Sequence, residues 1–390
     1  MGTGYVRKRG DGAYQIAVYL GQKLDGRDDY DYKTVHVETE KEAKRLALVM
    51  AAKVAEGKYI RAGTMTVEQL LTSFLAAKEP PEVKQSTYDF YEKIARLHWI
   101  PDMGGKRVSK LRKSEVRDYC RQKVKDGMSP STARHIYETL RTAINFAVED
   151  GELPDNPLRG MKAPHVPDRP FTVWNAVEAA QFLESTQNHR LHAAWLLALT
   201  TGMRRGEILG LRRRDLDLDG MKLQIEQQLV VNSNGVRIES PKSEKSRRTV
   251  ELGSMTVEAL RQRLIDQSAE RRFTGDRYQD SGLVFTTMAG GPIHPTSYDK
   301  QFERAIQRAG VPRIRVHDTR HTHITLALEH GENLNAVSAR SGHADPGVTV
   351  RKYAHVMPTM GRVVADGIET VYEQAISAKK VKEQTLGEVQ

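Results

Sequence analysis

The sequence predicts a multidomain, mainly α chain with small β-sheets, an α+β architecture in three parts. Alternating apolar and polar residues are confined to the start of the chain, which suits strands with one buried face. Apolar residues at helical spacing then run from Thr66 to about Pro157. Finally, Pro157, Pro164, Pro167 and Pro170 crowd a short stretch that cannot hold a continuous helix, because proline lacks the amide proton and clashes with the preceding turn. The three parts span residues 1–62, 63–160 and 168–378.

In the first part, Tyr14–Leu20 and Lys33–Val37 read as strands of a three-stranded sheet. A covering helix follows over Glu38–Lys58, where Ala43, Leu46, Ala47, Met50, Ala51 and Val54 share a side and Gly57 stands past the end. The second part is all helical. Thr66 and Gln69 form a capping pattern ahead of Leu70, Leu71, Phe74 and Leu75, and helices are expected over Ser86–Leu97 and Val116–Val124. Ser129-Pro130 opens another, carrying Ile136, Leu140, Ile144 and Val148, which Asp150–Pro157 ends. The third part is expected to hold apolar helices around one strand pair, Leu223–Val231 with Arg247–Leu252, joined across Asn234-Gly235. An amphipathic tail, Val363–Ile376, is expected to pack either on its own domain or on a neighbouring subunit.

Composition narrows the partners. Lysine plus arginine outnumber aspartate plus glutamate by 60 to 50, a formal charge of +10, so polyanions are attracted and nucleic acid leads the partner classes. Arg112, Lys113, Arg117, Arg121, Lys123 and Lys125 form a basic helix that either contacts phosphate or is simply solvated. Cys120 is the single cysteine, which excludes an intramolecular disulfide and a cysteine-held zinc and suits a reducing cytoplasm. The most apolar run, Ala193–Leu199, is too short to span a bilayer, so a soluble protein without a membrane role is expected.

Four segments of the third part are rich in groups that bind or activate phosphate. In Thr200-Thr201-Gly202-Met203-Arg204-Arg205-Gly206-Glu207 a helix breaks and restarts, placing Arg204 near backbone donors with Glu207 three residues on. Ser240–Arg248 is a basic turn in which Lys242 or Lys245 can reach a site as an acid. In His317-Asp318-Thr319-Arg320-His321-Thr322-His323, one helix face carries a proton-transfer group beside a permanent cation. The fourth segment joins Gly342-His343 to Tyr353, whose phenol is a poor nucleophile unless a base and cations favour the phenolate. Each alone also fits an ordinary role: a paired surface arginine, a solvated turn, a histidine cluster of the kind that binds metal, a packing tyrosine.

Taken together and in order, Arg204 after Thr-Gly, Lys242 on its turn, His317-x-x-Arg320, Gly342-His343 and Tyr353 resemble the catalytic set of the tyrosine recombinase (phage integrase) family. Lys245 stays open beside Lys242, and Arg205 is a lesser rival to Arg204. The resemblance implies an arm-type DNA-binding domain over 1–62, a SAM-like core-binding domain over 63–160 and a catalytic domain over 168–378. It also implies an integrase that cuts and rejoins double-stranded DNA at attachment sites through a 3′-phosphotyrosyl link, for a phage or mobile element in a bacterial cytoplasm. Arg204 and Arg320 would clamp the scissile phosphate, Tyr353 attack, His317 take the phenol proton, Lys242 protonate the departing 5′ oxygen and His343 donate to the phosphate. No cofactor or metal is expected. A homotetramer on DNA, an excisionase and a host DNA-bending protein are the expected partners.

Overall fold

At the start of the chain, β1 (Tyr5–Gly10), β2 (Ala13–Gln22) and β3 (Asp28–His36) form an antiparallel sheet in sequence order. Side chains alternate across its faces. Ile16 and Val18 point one way and bury against Ala47 and Met50 of α1 (Glu40–Ala55), with Val6, Leu20 and Val35 packed around them. The helix begins at a capping box in which Thr39 and Glu42 satisfy each other's backbone amides. The other face carries Tyr5, Arg7, Gln15, Tyr19, Tyr30 and Tyr32 in register, with the Tyr19 and Tyr30 rings 5.3 Å apart.

The computed structural model describes residues 5–23, 26–56, 63–167, 172–240, 247–342, 347, 350, 353, 367–374 and 376–377. The chain divides into two compact units, Met1–Asp168 and Arg169–Gln390.

Within the first unit a second core gathers α2 (Val67–Ala77), α3 (Gln85–Ile94), α4 (Ile100–Met103), α5 (Lys113–Lys125) and α6 (Pro130–Glu149). Thr66 and Gln69 form the expected capping box on α2, and Ser129 caps α6 ahead of Pro130. A π-helical turn, Ala95–Trp99, joins α3 to α4 and buries Trp99, whose indole donates to the Ile136 carbonyl at 2.9 Å.

In the second unit the core forms around α7 (Ala176–Ser185), α8 (His192–Thr201) and α9 (Arg205–Leu209). α8 is buried on nearly every side, which explains its uninterrupted apolar sequence. Two small sheets follow instead of the one expected strand pair. β4 (Leu216–Asp217), β5 (Lys222–Ile225) and β8 (Arg248–Glu251) form one, and β6 (Gln228–Asn232) pairs with β7 (Gly235–Glu239) in the other. The Leu223–Val231 run breaks because β6 crosses α9 in close contact. A Cβ on Gly206 would lie 2.7 Å from the Leu229 carbonyl oxygen, and one on Gly210 2.8 Å from the Leu229 nitrogen. Gln227 secures the break by donating to the Gly210 carbonyl at 2.8 Å. Then come α10 (Ser254–Thr274), α11 (Pro295–Ala309), α12 (Val316–Glu329) and α13 (Leu334–Ser341). Residues 367–374 are helical and expose Ile368, Val371 and Tyr372.

Candidate active site

Arg204 is the residue on which α9 starts, just past the left-handed Gly202 (φ 65°) that ends α8. Its backbone N–H donates to Glu207 Oε2 at 2.9 Å and its guanidinium to Glu207 Oε1 at 2.8 Å, the local pairing that the i, i+3 spacing predicts. Glu207 is 2% exposed and also accepts from Arg248 of β8. Burial by itself would raise this carboxyl, but the charges and hydrogen bonds of Arg248 and Arg204 outweigh it and hold Glu207 below the usual carboxylate range.

The end of α13 draws the cluster together. Its last carbonyls point at positive charge, as the negative end of a helix favours. Arg248 Nε donates to the Arg340 carbonyl at 2.7 Å, Arg320 Nη1 to the Ser341 carbonyl, and Arg204 Nη2 to the Gly342 carbonyl at 2.9 Å. Three successive carbonyls are thus each bound by a different arginine. Gly342 is left-handed (φ 70°), and a Cβ there would meet Arg248 Nη1 at 2.7 Å, so any other residue is strained and displaces Arg248.

Arg320, on α12, is 3% exposed and also donates to the Gly202 carbonyl at 2.8 Å. Its Nη2 is buried without a hydrogen-bond partner among the described residues. Burial, followed by the neighbouring charge of Arg204, drops its pKa to about 10, so it stays charged at neutral pH. A buried, charged donor left open is costly unless a ligand completes it.

Tyr353 is fully buried among Ile324, Leu328 and Val337. Burial pushes its phenol above the ordinary range, with Arg320 opposing. Its hydroxyl lies 2.5 Å from His321 Nδ1, and the two rings pack 5.8 Å apart. The ring hydrogen-bonded to the phenol is His321, one residue past Arg320, whereas the family's role assignment implies that His317 takes the phenol proton. The helical period explains this: His317 and His321 stand one turn apart, edge to face at 5.2 Å, and the later one reaches the tyrosine. His317 is exposed and lines a cavity of about 850 Å³ with Arg204, Arg205, Arg313 and Arg315.

The structure therefore brings Arg204, Arg320, His317 and Tyr353 into one region of the unit. Lys242, its alternative Lys245, and His343 lie outside the described residues. Arg205 turns away to pair with Asp299 of α11. His323 donates toward the Leu199 carbonyl at 3.0 Å rather than joining the other histidines. Among the described residues no group of three or more His, Cys, Asp or Glu side chains is placed to hold a metal ion, and no helix is long and apolar enough to cross a membrane. Two residues of the cluster are not singled out by sequence reasoning: His321, whose only signal is its helical offset from His317, and Arg248, hidden in a basic turn.

Comparison with known proteins decides between the readings. Residues 172–360 match the phage integrase family, and residues 66–124 match the phage integrase N-terminal SAM-like domain. The chain belongs to the phage integrase family of tyrosine recombinases. It is a site-specific DNA recombinase. A tyrosine recombinase XerC-like protein of Caldanaerobacter subterraneus subsp. tengcongensis is 29% identical over 91% of this chain and 95% of its own length. The ICEBs1 integrase of Bacillus subtilis is 22% identical over 93% of this chain and 99% of its own. Among solved structures, the Tn1549 transposon integrase in complex with transposon right end DNA shares the fold, with a TM-score of 0.67 at 21% identity over 78% of this chain and 100% of that one. A lambda integrase dimer bound to a core site shares it at a TM-score of 0.56 and 16% identity, over 89% of this chain and 93% of that one.

Proposed function

We propose that this integrase cleaves and rejoins attachment-site DNA by attack of Tyr353 on a phosphate clamped between Arg204 and Arg320. The observation that carries this reading is the buried, charged Arg320 Nη2, which has no partner among the described residues beside Arg204 and the fully buried Tyr353. Two neighbouring guanidiniums suit the non-bridging oxygens of a phosphate as charge builds in the five-coordinate transition state.

In this scheme the phenol gives its proton to His321, and the phenolate oxygen forms a bond to phosphorus as the bond to the 5′ oxygen breaks. Lys242, with Lys245 as its alternative, protonates that leaving oxygen. His317 and His343 donate hydrogen bonds to the phosphate. The product is a 3′-phosphotyrosyl ester, which a 5′ hydroxyl from the partner duplex attacks to reseal the strand. One ester replaces another, so ATP is not required, and the paired guanidiniums provide the charge neutralisation for which other enzymes use metal ions.

Recombining two duplexes requires one active site per cut strand, hence a homotetramer on DNA; a lambda integrase tetramer bound to a Holliday junction supports this. The tyrosine and arginine face of the β1–β3 sheet suits contact with DNA arm sites, and residues 63–160 suit the core site. Arm and core sites held by one chain require bent DNA, which supports a host bending protein and an excisionase as accessories. A DNA substrate supports a bacterial cytoplasmic location.

The test incubates the protein in EDTA with a nicked suicide duplex of its attachment core. A denaturation-resistant adduct from wild type but not from Tyr353→Phe is expected. An adduct that persists in Tyr353→Phe, or one that requires metal, would overturn the reading.

A further inference from the structure

Of the arginines around the turn at Gly342, Arg248 ends the basic turn of Lys242 and Lys245 but is not among the residues that carry the family resemblance, and it bonds both a buried carboxylate and a backbone carbonyl. Its Nη1 and Nη2 reach Glu207 at 3.3 and 3.1 Å, and its Nε reaches the Arg340 carbonyl at 2.7 Å. The side chain is 9% exposed, in a region already crowded with positive charge. A guanidinium is desolvated in such surroundings only where it completes a network.

We infer that Arg248 is a positioning residue for DNA cleavage, setting Arg204 through the shared Glu207 carboxylate and the end of α13 through the Arg340 carbonyl. The inference rests on the proposed clamp of phosphate by Arg204 and Arg320. Glu207 binds both guanidiniums, so Arg248 limits how strongly its negative charge opposes the field that Arg204 presents to the phosphate. Through Arg340 the same guanidinium fixes the turn whose next carbonyls orient Arg320 and Arg204, immediately before His343. Arg248 thereby ties the strand that follows the lysine-bearing turn to the histidine-bearing one, without reaching the reacting atoms. Supports of this kind orient the groups that do the chemistry.

The test measures single-turnover cleavage of two suicide duplexes, one with a normal scissile phosphate and one with a neutral methylphosphonate there. Arg248→Met is expected to slow the phosphodiester about 100-fold, comparable to losing a transition-state donor, while slowing the methylphosphonate only a few-fold. Adding Glu207→Gln to Arg248→Met is expected to restore part of the loss, since the uncompensated carboxylate is then gone. Arg248→Lys, which keeps the charge without the fork, should fall between wild type and Arg248→Met, and it carries the same rate ratio if Arg248→Met fails to fold. Equal slowing of both duplexes would reduce Arg248 to a structural role and overturn the inference, as would phosphodiester cleavage at the wild-type rate. Arg204→Met separates this from the underlying reading. If Arg204→Met also cleaves at the wild-type rate, the clamp itself is wrong; if only the Arg248 variants do, the clamp stands and the positioning role fails.

Discussion

The second unit, Arg169–Gln390, contains two buried clusters in which one glutamate joins arginines, and they are built differently. On α10, Glu270 accepts both donors of Arg190 at 2.6 and 2.8 Å and two from Arg263 at 2.8 Å each, while Arg263 Nε reaches the Val284 carbonyl at 3.3 Å. Every nitrogen of the Arg263 guanidinium is satisfied within the fold. Around Glu207, by contrast, Arg204 and Arg248 share the carboxylate, the two together with Arg320 bind the carbonyls of Gly202, Arg340, Ser341 and Gly342, and Arg320 Nη2 has no partner among the described residues. A closed network holds helices in place; an open one holds surplus positive charge where an anion completes it.

Breaking one arginine in each cluster should separate stability from chemistry. Arg320→Met is expected to slow phosphodiester cleavage by about 1000-fold, the scale of a lost transition-state donor, with a modest change in melting temperature. Arg263→Met leaves Glu270 half paired and should cost about 3–5 kcal/mol, lowering the melting temperature by roughly 10 °C, with cleavage by the folded protein unchanged. Calorimetry and single-turnover cleavage on both variants check this. A reversed pattern would erase the distinction between the clusters.

Replacing each carboxylate by its amide sharpens the contrast. Glu207→Gln should lose about 10- to 100-fold in cleavage as Arg204 and Arg248 drift from their shared partner, whereas Glu270→Gln should lose stability alone. The same two assays apply, and equal cleavage by both amides would contradict the assignment.

Next to the open cluster, burial, aided by the charge of Arg340, drops the His323 imidazole from its ordinary value to about 4. The folded state therefore takes up this proton at lower pH than the unfolded state does. Its contribution is fully present above about pH 6.5 and is lost as pH falls toward 4, at most about 3 kcal/mol in all. His323→Asn should flatten the melting temperature across that window. An unchanged slope would place the titrating group elsewhere.

The smallest effect belongs far from either cluster. Tyr32→Ala, on the open face of the first sheet, is expected to weaken arm-site binding about 10-fold, the loss of one aromatic contact, and to leave cleavage of a core duplex intact. Gel-shift titrations on arm and core duplexes check it; equal weakening on both would remove the sheet from arm recognition.

Much of this architecture is legible in the amino-acid sequence itself. Thr66 with Gln69 and Ser129 with Pro130 mark helix starts because capping is local chemistry. Alternation in Ala13–Gln22 marks a strand because one face packs on α1. The Leu223–Val231 run misleads, since its break is imposed by Gly206 of α9 and Gly210 just past it, outside the run itself. Arg204 and Arg320 stand out by residue type and spacing. What holds them does not, because the acceptors at Arg340, Ser341 and Gly342 are backbone carbonyls, which every residue has. Arg248 and His321 escape the sequence pattern for the same reason: their importance comes from partners that only the fold supplies.

Whether Tyr353 is the nucleophile is read by peptide mapping of the trapped protein–DNA adduct with mass spectrometry after nuclease trimming. A nucleotide 3′-phosphate is expected on the peptide containing Tyr353, localised to that tyrosine. A nucleotide on any other residue, such as Tyr372 or a serine, would contradict it.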